Sequence, residues 1–253
     1  DWLICSDCDE FLQIRVGDGT LDALFEATGE ADAISFCWKL FGHGGRSRYT
    51  DTFVTEQFVW AAPEDYKGRV RARGLKTMFR PSRAIRKFGV HRPKYFEKPE
   101  GYIWKDAGGQ LMPDLYYETG WAAYPGFTHD FARLNHYAVR TIDSFLVKKH
   151  RGRTNHIDSV QGADYFADMS LNMEKDSSML PTVERTREEF DRLLQDAELK
   201  RLHKAACAWH RAKIAELKAD PEWARLHDYL QTINPPGKEP TDAAAVRAEL
   251  AAE

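Results

Sequence analysis

Short apolar runs bounded by polar residues or glycine divide the first half of the chain into predicted strands. These runs lie at residues 2–5, 33–38, 74–81, 88–93 and 132–140. The first is continuously apolar, which favours a buried strand, whereas the last alternates polar and apolar residues. A sequence with this many short strands predicts a sheet.

Helical periodicity dominates the C-terminal third, where apolar residues recur at spacings of three and four after residue 182. Earlier, one short helix is predicted after Thr20 and ended by Gly29, and a second is capped by Thr141. Asp220 and Pro221 are typical of the cap and first residue of a final helix. Together these elements predict an α/β fold, with a mixed sheet followed by a C-terminal helical layer.

The pattern also predicts three segments. Residues 1–160 are expected to form the sheet domain, 161–232 a helical extension, and 233–253 a flexible tail rich in Pro, Ala and Glu. The chain enters its first strand almost directly after Asp1. We therefore expect a fragment whose upstream elements lie outside this sequence.

Composition narrows the functional classes. The 253 residues are 43% hydrophobic, enough for a sizeable core, and their net charge of -3 predicts no nucleic-acid partner. No apolar run approaches the roughly 20 residues of a membrane span, so no transmembrane segment is predicted. Four cysteines without a disulfide pattern predict a cytoplasmic protein, and peripheral binding at the inner membrane face extends that prediction.

The strongest chemical signal is a group of three carboxylates after the first predicted strand. Asp7, Asp9 and Glu10 are followed at once by apolar Phe11. Charges between apolar flanks are unfavourable to bury unless a cation or a cleft receives them. Hard oxygen ligands at the carboxyl end of a strand predict an Asp-x-Asp site that holds Mg²⁺ or Mn²⁺ against a diphosphate. A solvated acidic turn explains the spacing equally well.

Two basic segments could receive an anionic ligand. The Gly-rich basic loop at residues 39–48 lacks the Gly-Lys-Ser/Thr ending of a P-loop, and a plain surface turn fits it as well. Residues 70–94 form the most basic segment of the chain. Within it, Lys76 has apolar neighbours, so we expect this lysine to contact a bound anion.

Six segments carry a further signal through their order and spacing. They are DCDEFL at 7–12, ADAISFCWKLFG at 31–42, KTMFRP at 76–81, GVH at 89–91, NHY at 135–137 before a helix, and, more weakly, NMEKDS at 172–177. In this arrangement the chain resembles the glycosyltransferase family 2-like proteins of bacterial surface-polysaccharide loci, which have a GT-A type fold.

The resemblance implies a Rossmann-like GT-A sheet and transfer of a sugar from a nucleotide-sugar donor to a glycan or lipid-linked acceptor. It implies that Asp7 and Asp9 bind the divalent metal and the donor diphosphate, and that His136 completes the metal shell. Mn²⁺ or Mg²⁺ would be the cofactor, and Lys76 would add positive charge at the diphosphate. Family members begin with a nucleotide-binding half, which this sequence does not contain.

An inverting enzyme of this kind also requires a carboxylate that deprotonates the acceptor hydroxyl. Glu56 and Asp65 are the two predicted candidates for this base. Ordinary surface charge explains both residues as well.

Three other interpretations remain open. Cys5-x-x-Cys8 could bind zinc or act in redox chemistry, although no second pair follows and two buried small residues are the commoner explanation. A metal-dependent phosphohydrolase would use Asp7 as nucleophile, but Phe11 stands where its Asp-x-Asp-x-Thr motif requires Thr. The third is a non-catalytic carbohydrate-binding or scaffolding protein with the same fold.

Overall fold

The structure is a computed structural model that describes residues 1–94, 98–152 and 161–252. These residues form ten strands and nine α-helices. The strands are β1 (Leu3–Ile4), β2 (Glu10–Ile14), β3 (Ala33–Leu40), β4 (Trp60–Ala61), β5 (Leu75–Phe79), β6 (Lys87–Phe88), β7 (Pro93–Lys94), β8 (Trp104–Asp106), β9 (Ala132–His136) and β10 (Glu174–Lys175). The helices are α1 (Leu21–Thr28), α2 (Val54–Gln57), α3 (Leu115–Glu118), α4 (Ile142–Arg151), α5 (Ala163–Met169), α6 (Val183–Leu193), α7 (Ala197–Ala219), α8 (Pro221–Leu230) and α9 (Ala243–Ala252).

The chain divides into two compact units, each built from two stretches of sequence. The first contains Asp1–Leu40 and Pro63–His136, and the second contains Phe41–Ala62 and Tyr137–Glu253. The predicted boundary at residue 232 does not coincide with this division. The boundary predicted at residue 160 falls outside the described residues.

Six strands of the first unit form one mixed sheet. Its order is β1-β5-β3-β9-β2, and β8 also pairs with β3. Residues 33–35 of β3 pair with β8 and residues 38–40 pair with β9, so these two parallel strands follow one another along one side of β3. Antiparallel β5 occupies the other side. The fold is therefore mixed α/β with a curled mixed sheet and several helices, as predicted at that level.

The two faces of this sheet bury separate apolar clusters. One face carries Ile34, Phe36, Met78, Ala132 and Leu134 together with Leu24 of α1. The opposite face carries Leu75, Phe79, Trp104, Tyr116 and Tyr117. Since both faces are covered, β3, β5 and β9 are buried along almost their whole length, including the polar residues of β9.

Helix α1 covers the first of these faces, and local sequence signals fix both of its ends. The Thr20 side chain caps the helix by accepting a hydrogen bond from the Ala23 amide at 3.3 Å. Gly29 ends it at a positive φ of 67°. Both ends lie where the sequence predicts them.

Strand β1 differs from the buried strand predicted at residues 2–5. It contains only Leu3–Ile4 and pairs with β5 alone, so it lies at the edge of the sheet. Leu3 and Cys5 are exposed, and Ile4 is half-buried. The apolar run is too short to be covered on both sides before the chain turns into the acidic segment.

The second unit is mostly helical, and its helix starts follow the predicted capping signals. Thr141 accepts a hydrogen bond from the Ser144 amide at 3.1 Å at the start of α4. Asp220 accepts one from the Glu222 amide at 2.8 Å at the start of α8, where Pro221 is the first residue. No helix in the described parts of the chain is long and apolar enough to cross a membrane.

The flexibility predicted for residues 233–253 stays a prediction, and the described part of this segment contains regular structure. It contains α9, which packs against α5. Ala243 and Val246 are each 1% exposed, and the Arg247 guanidinium lies 2.7 Å from the Asp164 carboxylate. The Ala-rich composition of α9 favours a helix, but its packing against α5 depends on a distant segment.

A buried polar network fixes the Gly-rich loop inside the second unit. His43 is 1% exposed, and its Nδ1 lies 2.7 Å from the Ser170 hydroxyl. The Gly44 amide donates to Asn172 Oδ1 at 2.8 Å, and a Cβ on Gly42 would lie 2.2 Å from the same oxygen. The loop is neither a plain surface turn nor an open phosphate cradle, since its core-facing groups already bind protein.

Burial lowers the pKa of His43 to about 4, which predicts that acid destabilises the second unit. Unfolded His43 binds a proton below its ordinary pKa of 6.5, whereas the folded side chain resists it until about pH 4. Its contribution to stability is therefore complete above pH 6.5 and is lost as the pH falls through this window. The loss amounts to about 3 kcal/mol.

This prediction is checked by urea unfolding of the wild type and His43→Gln between pH 7.5 and 4.5. The free energy of unfolding of the wild type should fall relative to that of the variant, which lacks the titrating group. Exposed His150→Gln serves as the control and should follow the wild type. Parallel pH curves for wild type and His43→Gln would contradict the prediction.

Candidate functional site

A five-residue loop, Cys5 to Asp9, joins the two edges of the six-stranded sheet. β1 ends at Ile4 and β2 begins at Glu10, yet these strands stand at opposite ends of the strand order. In a flat sheet, β1 and β2 would lie four strand spacings apart, roughly 19 Å. A fully extended chain covers only roughly 20 Å over the six steps from Ile4 to Glu10. The turn from Asp7 O to the Glu10 amide, 3.1 Å, uses up part of that length. The sheet is therefore curled, and this acidic loop crosses one end of it.

Strand alternation places three polar side chains on the apolar face beneath this loop. Residues two apart in a strand share a face. On that basis Glu10 shares a face with Leu12, Lys76 with Met78, and His136 with Leu134. All three are buried because they extend the core-facing side of β2, β5 and β9. We call Asp7, Asp9, Glu10, Lys76 and His136 the charged end of the sheet.

Lys76 is the fully buried cation of this group. Its Nζ lies 3.0 Å from Asp7 Oδ2 and 3.4 Å from Glu10 Oε2. Glu10 Oε2 also accepts hydrogen bonds from the Asp7 amide at 2.9 Å and the Ser6 hydroxyl at 3.3 Å. Burial raises the pKa of Glu10, while His136, the Asp7 amide and Lys76 counteract that rise. The site therefore holds the buried side chains of Lys76 and Glu10 directly beneath the exposed carboxylate of Asp7.

Asp9 and His136 form the second half of the charged end. Asp9 Oδ1 lies 3.6 Å from His136 Nε2, and both residues are more than nine-tenths buried. Glu10 and His136 are direct partners in the antiparallel pairing of β2 with β9. Glu10 Oε1 and His136 Nδ1 are buried without a hydrogen-bond partner among the described residues. Such atoms are uncommon in folded proteins, and either an ordered water or a bound group would satisfy them.

A row of aromatic rings leads from these charges to the protein surface. The Trp38 ring lies 4.4 Å from the His136 ring and 5.7 Å from the His91 ring, centroid to centroid. His91 lies 5.7 Å from Trp121, which is 40% exposed. Burial lowers the pKa of His91, which favours its neutral form. Flat, partly exposed rings of this kind suit the apolar face of a sugar.

Four of the six predicted site residues, Asp7, Asp9, Lys76 and His136, are brought together at the charged end. Glu56 lies in α2 of the second unit, where its carboxylate is 3.2 Å from the Arg187 guanidinium. Asp65 is exposed in the loop after β4. Neither position assigns a catalytic role, and the base function of these two residues stays a prediction.

The three predicted metal ligands do not all converge. Asp9 and His136 are close, but Oδ2 of Asp7 accepts a hydrogen bond from Lys76 at 3.0 Å. A different group of three potential metal ligands does converge among the described residues. The donor atoms of Asp51, His203 and Cys207 all lie within 4.8 Å of one another.

Another predicted feature, the pair Cys5 and Cys8, has different surroundings from those expected. Cys5 and Cys8 are free thiols and both are exposed, so the explanation as two buried small residues is wrong. Among the aromatic residues at positions 116–124, Tyr116 and Tyr117 are buried in a core cluster, while Trp121 is 40% exposed. The aromatic row beside His136 therefore draws on Trp121 rather than on the tyrosines.

Glu10 and Trp38 are parts of the site to which sequence analysis gave no role. The available signal for Glu10 was its spacing of two from Leu12, which places both on the core side of a strand. Trp38 stands at the same spacing from Phe36 in β3. Neither signal showed that these residues meet Lys76 and His136, because that contact depends on the curl of the sheet.

Comparison with models of known protein families gave no match, and comparison with curated proteins gave none either.

The buried ion pair predicts unequal effects of removing its members. Lys76→Met should lower the free energy of unfolding by about 3 kcal/mol, since it leaves Glu10 buried without its cation. The double variant Lys76→Met with Glu10→Gln should recover much of that loss. Asp7→Asn should cost less than about 1 kcal/mol because the Asp7 side chain is 59% exposed.

Chemical denaturation of the wild type, Lys76→Met, Glu10→Gln, the double variant and Asp7→Asn measures these differences. The comparison that matters is between the single and double variants, because coupled residues give non-additive changes. Additive effects of Lys76→Met and Glu10→Gln, or equal losses in Lys76→Met and Asp7→Asn, would show that the pair is not coupled as described.

Proposed function

We propose that this chain carries the diphosphate-binding and metal-binding part of a nucleotide-sugar-dependent glycosyltransferase with a GT-A type sheet. The observation that carries the proposal is the meeting of Asp9 with His136 beside a fully buried Lys76. A carboxylate, an imidazole and a lysine at the end of a sheet suit a divalent cation and an anionic leaving group. The resemblance of segments 7–12, 76–81 and 135–137 to that family adds support.

Asp9 and His136 fit Mn²⁺ or Mg²⁺, because one oxygen and one nitrogen face each other and His136 Nδ1 is buried without a partner among the described residues. Mn²⁺ accepts such a mixed set more readily than Mg²⁺ does. Asp7 fits less well as a ligand while it binds Lys76. When bound, the metal would act as a Lewis acid towards the diphosphate oxygens.

The roles of the chain's own residues follow from their charges. Lys76 would bind a diphosphate oxygen and stabilise negative charge there as the bond from the sugar's anomeric carbon to the diphosphate breaks. Asp7 and Glu10 hold the lysine in place beforehand. The acceptor hydroxyl would form the new bond and give its proton to a carboxylate base, for which Glu56 and Asp65 remain the proposed candidates. The acceptor would be a glycan or a lipid-linked sugar.

Binding of Mn²⁺ together with a nucleoside diphosphate tests this proposal. We expect Mn²⁺ affinity, measured by electron paramagnetic resonance, to rise when uridine or guanosine diphosphate is present. Asp9→Asn and His136→Ala should each lower Mn²⁺ affinity by roughly tenfold or more at an unchanged melting temperature. Asp22→Asn, an exposed carboxylate in α1, is the matched control and should behave as the wild type.

Absence of Mn²⁺-dependent diphosphate binding in the wild type would contradict the proposal. Equal affinity in wild type and both site variants would do the same. Release of phosphate from simple phosphoesters would instead favour the phosphohydrolase, and metal-independent sugar binding would favour the non-catalytic carbohydrate-binding protein.

We also propose a peripheral location at the inner face of the membrane, through α7. Leu199, Leu202 and Trp209 are 45%, 47% and 58% exposed and lie along one stripe of this helix. The helix carries six basic and two acidic residues within a chain of net charge -3. A basic helix with an exposed apolar stripe is complementary to an anionic bilayer surface.

Cosedimentation with vesicles tests this location. The wild type should bind vesicles that contain phosphatidylglycerol more strongly than pure phosphatidylcholine vesicles, and added salt should weaken the binding. Trp209→Ser should reduce the bound fraction severalfold, whereas Trp223→Ser in α8 serves as the control. Equal binding of the wild type to both kinds of vesicle would contradict the proposed location. Equal binding of Trp209→Ser and the wild type would do the same.

A further inference from the structure

A cluster of three different metal-ligating side chains lies in the second unit. His203 and Cys207 are four residues apart on α7 and therefore share one side of that helix. Cys207 Sγ lies 3.6 Å from His203 Nε2, and Asp51 Oδ1 lies 3.7 Å from the same nitrogen. Cys207 is 8% exposed, and His203 and Asp51 are progressively more accessible. The cluster thus has a buried thiol at its base and an open carboxylate at its rim.

These separations are close to, and slightly longer than, the edges of a zinc tetrahedron. With Zn–S near 2.3 Å and Zn–N near 2.0 Å, tetrahedral angles place the sulfur and nitrogen roughly 3.5 Å apart, and the nitrogen and oxygen slightly closer. We propose that Asp51, His203 and Cys207 bind a Zn²⁺ ion, with the fourth position left for water or an added ligand. Zinc matches this mixture of sulfur, nitrogen and oxygen donors better than Mg²⁺ or Ca²⁺ does.

The residues around the cluster hold its ligands in position. The two carboxylate oxygens of Asp51 have different partners. Oδ1 faces His203, and Oδ2 lies 3.6 Å from the Arg211 guanidinium. The Tyr49 hydroxyl lies 3.7 Å from Cys207 Sγ, and Arg211 stacks over the Tyr49 ring at 5.6 Å. Such outer contacts orient metal ligands in known sites.

Binding requires one change of protonation. Burial raises the pKa of the Cys207 thiol, so the proton on sulfur leaves to solvent when the Zn–S bond forms. The bound ion would join the loop that precedes α2 to the middle of α7. This site is distinct from the charged end of the sheet, and it does not depend on the proposed transferase activity.

Zinc and cobalt titrations of the 253-residue chain test the site. The Cys5→Ser/Cys8→Ser background removes the two exposed thiols, which could otherwise bind metal. We expect one Zn²⁺ per chain in competition with a chromophoric chelator, and a near-ultraviolet thiolate-to-cobalt absorption band when Co²⁺ is used. Added Zn²⁺ should raise the melting temperature, since it binds the folded state.

Cys207→Ala should abolish the cobalt band, and His203→Gln should weaken Zn²⁺ binding by roughly tenfold or more. His203 is partly exposed, so His203→Gln keeps the test valid even if Cys207→Ala fails to fold. Cys37→Ala and His150→Gln are the matched controls and should leave both signals unchanged. A missing cobalt band in the background protein, or the same Zn²⁺ affinity in His203→Gln, would overturn the proposal.

Discussion

The first unit depends on a length constraint. Five residues between β1 and β2 must connect the two edges of a sheet whose strand order places them furthest apart. A short connection of this kind does not allow a flat sheet. The sheet curls, and the loop runs over its end with Asp7 towards Lys76 and Asp9 towards His136. The site therefore arises from chain length and strand order as much as from residue type.

The curl also explains why a lysine can remain fully buried. A lone ammonium group in an apolar interior is strongly destabilised, and a single surface carboxylate would not compensate for it. Here Glu10 reaches Lys76 across the curled sheet, and Asp7 reaches it from the loop. The protein thus keeps Lys76 and the Glu10 carboxylate in a region of low polarity, where their mutual attraction is stronger than in water.

Local signals in the sequence predicted local structure well. Thr20 with Gly29, and Asp220 with Pro221, identified helix ends because capping depends on neighbours a few residues away. Local signals could not predict three other features of the structure. These are the buried ion pair of Glu10 with Lys76, the burial of α9 and the position of Cys207 beside Asp51. Each depends on contacts between segments far apart in the chain, about which hydrophobic periodicity carries no information.

The register of β2 against β9 links the apolar core to the chemistry of the charged end. Leu12 is the partner of Leu134, and two residues further along the same faces Glu10 is the partner of His136. A shift of one residue would turn Leu134 and His136 to the opposite face together. Packing of the leucine pair therefore fixes the face on which His136 lies. The same register fixes the position of Asp9, because Asp9 directly precedes β2. Selection for a packed core would in this way maintain the Asp9–His136 pair, so substitutions that loosen the core should disturb the site before they unfold the protein.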